Sequence, residues 1–260
     1  AVKANFNKNI LSLMSKLNLG ADVVSQGELQ NSLKSGINKK KIVFSGVGKT
    51  REEIIFALKK NIKQINVESF EELKEIEEIS KLLNKRPNIS LRLNPDVNPD
   101  THEKISTGRS EDKFGISEKE LINIFINNKK FKHLNINGIS IHIGSQITKL
   151  DPFKDSFKKV REIYLFLKKN NIILSSIDLG GGVGIFYEKN NSKKFKIKDY
   201  ANLIENYFSD LKVEIILEPG RYLVGSSGLL VSKVLRIKKG INKEFLIIDA
   251  GMNNLIRPSL

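Results

Sequence analysis

The sequence predicts an α/β protein: a TIM-type (β/α)8 barrel over residues 1–220, followed by the beginning of a second, β-rich domain over residues 221–260. Three observations predict it. Short β-branched or apolar runs alternate with longer stretches of helical period. The residues with chemically capable side chains gather where the short runs end. After Leu217 the alternation stops, and strand-like runs follow one another without long helices between them.

The expected strands end near Ala4, Val24, Phe44, Val67, Leu93, His142, Leu179 and Leu217. Helices are expected between them over 8–17, 26–35, 51–60, 70–83, 118–127, 153–169 and 197–208. Glu53-Ile54-Ile55 with Ala57-Leu58, and Val160, Ile163, Tyr164 and Leu167, each leave one apolar face, as a helix packed on a sheet requires. Thr50, Ser69, Ser117 and Asp151 stand where helix N-caps belong, and Pro152 suits a first helical position. Beyond the barrel, strands are expected over 222–224, 229–237 and 245–248. The polar stretch 190–196 reads as a loop.

With 40% hydrophobic residues, a chain of 260 residues can bury one large core and a small second one. It has no cysteine, which excludes disulfides, thiolate metal sites and a cysteine nucleophile within these residues. No uncharged apolar run is long enough for a bilayer and no secretory apolar region opens the chain, so a soluble cytoplasmic protein with no membrane partner is expected. The first residues already read as a strand interior, and the chain is expected to be a piece of a longer protein. The net charge of +15 raises the question of nucleic acid. The lysines are scattered along helical segments as pairs such as Lys59-Lys60, Lys129-Lys130 and Lys168-Lys169. A solvated basic surface is the reading, with no nucleic-acid partner.

In such a barrel, catalytic groups come from the C-terminal ends of the strands. Here those ends carry Lys3, Asp22 with Ser25, Ser45-Gly46, Glu68-Ser69, Arg92 with Asn94, His142 with Gly144-Ser145, Gly180-Gly181-Gly182 with Gly184, and Glu218-Pro219-Gly220-Arg221. Glycines after a strand let backbone N–H groups converge on an anion, and late barrel strands often bind phosphate. The run is not a dinucleotide fingerprint, because Ile185 replaces the last glycine. Gly46-Val47-Gly48-Lys49-Thr50 ends like a nucleotide-binding loop, but Val43 stands where the pattern needs glycine, which rejects that site. A lysine among small and apolar residues, as Lys3 is, reads as partly buried, and burial would make its amine nucleophilic toward an aldehyde. Taken alone, Lys3 could equally be a surface lysine, Glu218 an ion-pair partner and His142 a core histidine. Three histidines in all leave no triple-histidine metal site, and no metal is expected.

Together these residues resemble the fold-type III, pyridoxal-phosphate-dependent decarboxylases, a family similar in fold to alanine racemase. The resemblance rests on AVKAN (1–5), SQGEL (25–29), RLNP (92–95), Thr101-His102 with Thr107-Gly108 and Lys113-Phe114-Gly115, HIGSQI (142–147), DLGGGVG (178–184), EPGR (218–221) and DAGMNNLIRP (249–258). The motifs span the chain in family order. Within the family, the diaminopimelate decarboxylases are the most similar group. The resemblance implies that Lys3 binds pyridoxal 5′-phosphate covalently, that His142 stacks on its ring and that Glu218 pairs with the ring nitrogen. It further implies that Ser145, Gly181, Gly182 and the Pro219-Gly220-Arg221 segment hold the cofactor, and that Arg221 and Arg257 contact the substrate carboxylate. Asp22 and Arg109 are implied as supports for the lysine and cofactor. The implied reaction converts meso-diaminopimelate to L-lysine and carbon dioxide in a homodimer whose partner chain completes the site with a cysteine proton donor from the second domain. On that reading the 260-residue piece alone is expected to be inactive or nearly so. Competing readings are a decarboxylase of ornithine, arginine or carboxynorspermidine, a non-catalytic pyridoxal-phosphate barrel protein, or a nucleic-acid binder.

Overall fold

The computed structural model describes residues 1–97, 113–186 and 196–254. Arg109, Arg257, Thr101-His102, Thr107-Gly108 and nearly all of the expected loop 190–196 lie outside the described residues. The chain divides into two compact units, Ala1–Gly225 and Ser226–Leu260.

In the first unit seven strands form one sheet, every neighbouring pair parallel and in sequence order: β1 (Ala21–Val23), β2 (Ile42–Phe44), β3 (Gln64–Val67), β4 (Asn88–Arg92), β5 (Asn135–Ser140), β6 (Ser176–Asp178) and β7 (Glu214–Ile216). Parallel strands need crossovers. These are supplied by α2 (Gln26–Lys34), α3 (Arg51–Lys60), α4 (Phe70–Leu82), α5 (Glu118–Ile126), α6 (Asp151–Lys169) and α7 (Ile197–Phe208), with α1 (Lys8–Lys16) ahead of β1. The helices fall within two residues of their expected bounds. Consecutive parallel strands with helices between them are the order of a TIM-type barrel.

Four helices begin with the same chemistry. Ser25, Thr50, Ser69 and Ser117 accept the N–H groups of Glu28, Glu53, Glu72 and Glu120 three residues on. In α3 the Glu53 carboxylate returns to the Thr50 N–H and closes a capping box. The loop that mimics a nucleotide site is thereby accounted for. Its Thr50 caps α3, and its Lys49 ammonium is buried and bonded to the Gly46 and Asn66 carbonyls (2.6 and 2.7 Å) and to Glu72 (2.7 Å).

The two faces of the sheet differ in kind. Ile65, Val67, Ile89, Leu91, Ile139 and Ile177 are fully buried in the apolar layer under the helices, each contributing roughly 1.5–3 kcal/mol. The alternate residues point into the lumen, where Gln64, Asn66, Ser90, Arg92, Ser140, Ser176 and Asp178 are buried. Ser176 donates to Gln64 (3.0 Å), Gln64 to Asn66 (2.9 Å), and Asn66 to Asp178 (3.1 Å) and Ser45 (3.0 Å). β3 and β6 are not neighbours in the sheet, so these bonds cross the lumen and show that the sheet is curled.

Four expectations are corrected. Residues 1–4 are not a first strand: Val2–Ala4 is a 3-10 turn whose backbone is engaged locally, Ala4 N–H to Ala1 (3.2 Å) and Asn5 N–H to Val2 (3.0 Å). Those groups are thus unavailable to a sheet ladder. A groove of about 480 Å³ runs between the edges of β1 and β7. Asp151 is not a cap: α6 begins at it, Leu150 precedes it without a side-chain cap, and Pro152 occupies the first turn. Residues 222–224 are not a strand: Arg221–Val224 forms the one-turn helix α8, closed by Gly225 N–H on the Arg221 carbonyl. In the second unit, 229–237 contributes only its end, to β8 (Val234–Lys239), which pairs antiparallel with β9 (Glu244–Ile248). No helix among the described residues is long and apolar enough to cross a membrane.

Two stability predictions follow from these contacts. Lys49→Met strands the buried Glu72 carboxylate and should cost about 3–5 kcal/mol, whereas Thr50→Ala removes a cap and should cost about 1 kcal/mol; denaturant midpoints would rank them. Burial pushes the Asp178 carboxyl up from 3.8 to about 6. An acid raised in the folded state stabilises the fold fully below its unfolded pKa and loses that contribution as pH climbs through the folded value. Wild-type protein should therefore lose stability relative to Asp178→Asn between about pH 4 and pH 6; parallel stability–pH curves would refute this.

Candidate active site

At the C-terminal ends of the strands lies a cavity of about 530 Å³, lined by Lys3, Asp22, His142, Ser145, Gln146, Gly182, Val183, Glu218, Gly220 and Arg221 among others. A second space of about 290 Å³ shares Lys3, His142, Ser145 and Glu218 and adds Ser45, Asn66, Arg92 and Phe114. Residues from opposite ends of the unit thus meet in one place.

Lys3 is carried by the 3-10 turn. That turn is anchored on one side by Val2, buried in a small apolar cluster with Leu11, Val23, Leu29 and Phe44. On the other, the Ala1 nitrogen donates to the Pro219 carbonyl (3.1 Å). Lys3 itself is exposed, contrary to the expectation of partial burial, because a single turn at the cavity mouth has no element above it. Asp22, on β1, is 4% exposed, yet neither carboxylate oxygen has a hydrogen-bond partner among the described residues. A buried carboxylate without donors is costly, so the arrangement fits a positively charged or N–H-bearing group brought in beside it.

The glycine run is held by its neighbours. Gly180 and Gly182 have φ of +66° and +102°, conformations that glycine adopts without cost. A Cβ on Gly182 would lie 2.6 Å from the Gly144 carbonyl oxygen, and one on Gly180 would overlap that of Ile141. The turn is fastened by the Gly180 N–H to Asp178 (3.0 Å) and the Gly184 N–H to Ile147 (3.0 Å). The Gly181 N–H donates to Nδ1 of His142 (3.3 Å), which makes that nitrogen an acceptor. Burial holds the His142 pKa well below its ordinary value, and the nearby Arg92 and Lys3 charges lower it further. The ring is therefore neutral, flat and held by the turn.

Glu218 follows β7. Its N–H donates to the Gly180 carbonyl (2.7 Å), and its Oε1 lies within reach of the Asn66 amide (3.3 Å) and the Ser45 hydroxyl (3.4 Å). Burial pushes its carboxyl well above the ordinary range, and the carboxylates of Asp178 and Asp22 push it further. The structure thus brings Lys3, Asp22, His142, Ser145, Gly182, Glu218, Gly220 and Arg221 to one cavity. Gly181 bonds His142 and Pro219 holds the N-terminal turn. Arg109 and Arg257 lie outside the described residues.

Two groups were not assigned roles from the sequence. One is the buried Arg92–Glu68 pair (2.6 Å). Glu68 also accepts the Gly46 and Gly115 N–H groups (3.2 and 3.1 Å), and Arg92 donates to the His142 carbonyl (3.3 Å), so the pair ties several strand ends together beneath the cavity. The other is Asn66 with Asp178, the top of the lumen network. A spacing of two between polar residues, Gln64 and Asn66, Ser176 and Asp178, was the available signal.

An amine, a cradle of small residues, a proton-holding carboxyl and a flat neutral ring around one cavity suit a phosphorylated heteroaromatic aldehyde. Such a molecule offers a carbonyl to the amine, an anion to the cradle, a basic nitrogen to the carboxyl and a ring face to the imidazole. The described donor set fits pyridoxal phosphate.

Comparisons with known proteins agree. The diaminopimelate decarboxylase of Helicobacter pylori strain J99 is 49% identical over all 260 residues, and that of Zymomonas mobilis is 42% identical. The chain spans 64% and 62% of the lengths of these relatives. The crystal structure of the Helicobacter pylori enzyme complexed with L-lysine superposes with a TM-score of 0.94 at 48% identity, covering 99% of this chain and 64% of that one. The family model described as pyridoxal-dependent decarboxylase, pyridoxal binding domain, matches residues 1–225. The chain belongs to the pyridoxal-dependent decarboxylases and carries their pyridoxal-binding barrel.

Proposed function

We propose that this chain is the barrel of a diaminopimelate decarboxylase, which converts meso-2,6-diaminopimelate to L-lysine and carbon dioxide. The observation that carries the reading is the convergence of Lys3, His142, Gly182 and Glu218 on one cavity, in a chain 49% identical to a protein of that name.

When bound, pyridoxal phosphate supplies an aldehyde for amine capture and a protonated ring that takes up the electron pair left by departing carbon dioxide. Lys3 would hold the aldehyde carbon through Nζ. Asp22 would support that amine from the wall of the same cavity. The Gly181-Gly182 turn, Ser145 and the Gly220-Arg221 backbone hold the phosphate, and Pro219 fixes that segment to the N-terminal turn. His142 packs against one ring face; being neutral, it adds no charge that would oppose a protonated ring. Glu218 holds the ring-nitrogen proton. Arg221 and Arg257 would bind substrate carboxylate, and Arg109 would support the lysine and cofactor.

Water must be kept from the reacting carbon, and Lys3 is exposed on this chain. We infer that further protein covers it, in a homodimer whose partner chain completes the site and supplies the proton donor for the product carbon. A cytoplasmic location follows from the small-molecule chemistry of this proposed reaction.

Borohydride reduction of the full-length protein with cofactor, followed by peptide mapping, should place the pyridoxyl mass on the peptide containing Lys3. Lys3→Ala should abolish that label and lower turnover by roughly 10³-fold or more. Gly182→Ala should weaken cofactor binding by about tenfold or more. A panel of meso-diaminopimelate, ornithine, arginine and carboxynorspermidine assigns the substrate, and preference for any of the last three would overturn the diaminopimelate reading.

A further inference from the structure

Asp178 has no place in the chemistry described so far, yet it lies at the top of the lumen network, fully buried. The ladder explains how it meets Glu218. Asp178 is the register partner of Ile216, and the pairing continues past the strand ends through the Leu179 N–H to the Ile216 carbonyl (2.9 Å) and the Glu218 N–H to the Gly180 carbonyl (2.7 Å). Glu218 is two residues beyond Ile216, on the same side of an extended chain. One nitrogen, Nδ2 of Asn66, lies 3.1 Å from Asp178 Oδ2 and 3.3 Å from Glu218 Oε1. The other Asp178 oxygen accepts the Gly180 N–H (3.0 Å). Asp178 is thus surrounded by donors that suit its ionised form. Two carboxyl groups bridged by one amide cannot both ionise cheaply, so the proton of the pair falls to Glu218.

We propose that Asp178 is a positioning residue that, with Asn66, keeps one proton on Glu218 before the cofactor binds, so that the ring nitrogen meets a site already carrying its proton. This rests on the assignment of Glu218 to that nitrogen. On binding, the Glu218 O–H bond breaks and an N–H bond forms on the ring, while the electron pair stays on the Glu218 oxygen. Nothing is oxidised or reduced. The triad and ring carry one net negative charge before and after, so this step draws no ion from water into a buried place, where it would be costly. The other charged and titratable groups facing Glu218 are Asp22 on β1, which favours retention of the proton, and Lys3 on the N-terminal turn, which opposes it. His142 and Arg92 line the space beneath, His142 being neutral and Arg92 paired with Glu68.

The test counts protons as cofactor is added to full-length apoprotein at pH 8, by pH-stat in weak buffer. Contributions from Lys3 and the phosphate are common to wild type and variant. Asp178→Asn should take up more protons than wild type, by up to about one per site, because its Glu218 has lost a neighbouring negative charge and starts more ionised. Equal uptake would overturn the proposal. A measurement on the wild type alone guards against a variant that fails to fold. Infrared spectra of the apoprotein should contain a carboxylic-acid C=O band that disappears on cofactor binding, and its absence at pH 8 would also overturn the proposal. Glu218→Gln should remove that band and move the resonance of ¹⁵N-labelled ring nitrogen to its unprotonated position. A resonance unmoved by Glu218→Gln would overturn the Glu218 assignment, and this proposal with it. A resonance moved in Glu218→Gln with equal uptake in Asp178→Asn would overturn the role of Asp178 alone.

Discussion

The site depends on a hydrogen-bonded lumen. Parallel strands covered by helices bury both faces, and here only the outer face is apolar. The inner face presents amides, hydroxyls and carboxyls, and such groups are tolerated in an interior only when they satisfy one another. The run from Ser176 through Gln64 and Asn66 to Asp178 meets that condition across the barrel, while the Ser90 and Ser140 hydroxyls have no hydrogen-bond partner among the described residues. An apolar lumen of similar volume would also fold. What the polar one adds is a rigid upper end on which a charged site can stand.

The site inherits its electrostatics from that arrangement. Arg92 delivers positive charge beneath the cavity, but Glu68 neutralises it at 2.6 Å, and the pair acts as a brace between strand ends. His142 is kept neutral by burial and by its cationic neighbours. Glu218 holds its proton between the carboxyls of Asp22 and Asp178, and the glycine turn adjoins them through the Gly180 N–H on Asp178 and the Glu218 N–H on Gly180.

Much of this was legible in the sequence because it is written in local chemistry. Ser or Thr followed three residues later by Glu marks the start of α2, α3, α4 and α5, and glycines at the end of β6 mark the turn. What was not legible depends on distant chain. Residues 1–4 carry a strand-like pattern, but a strand exists only where a neighbour accepts its hydrogen bonds, and this segment makes its own turn. Residues 222–224 have strand-forming side chains, yet Gly220 and Gly225 bracket them into one helical turn. Burial of Lys3 was argued from its small and apolar neighbours, but only Val2 of them is buried, while Ala4 is exposed like the lysine itself. The lumen network was missed because strands of three to five residues show only one or two polar positions each, too few for a visible period.

Two buried carboxylates flank Glu218, and their surroundings separate their duties. Asp178 has its donors in place, the Asn66 amide and the Gly180 N–H, which offset part of the cost that burial sets on its charge. Asp22 is also buried, at 4% exposed against 0% for Asp178, and has no hydrogen-bond partner among the described residues. An unsatisfied carboxylate in that position destabilises the barrel for as long as it stays unpaired. A ligand-bound state in which a cationic nitrogen from Lys3 or the substrate sits beside Asp22 would recover that cost. Binding at the mouth would therefore be coupled to stability through β1, while Asp178 belongs to the fold whether or not the cofactor is bound.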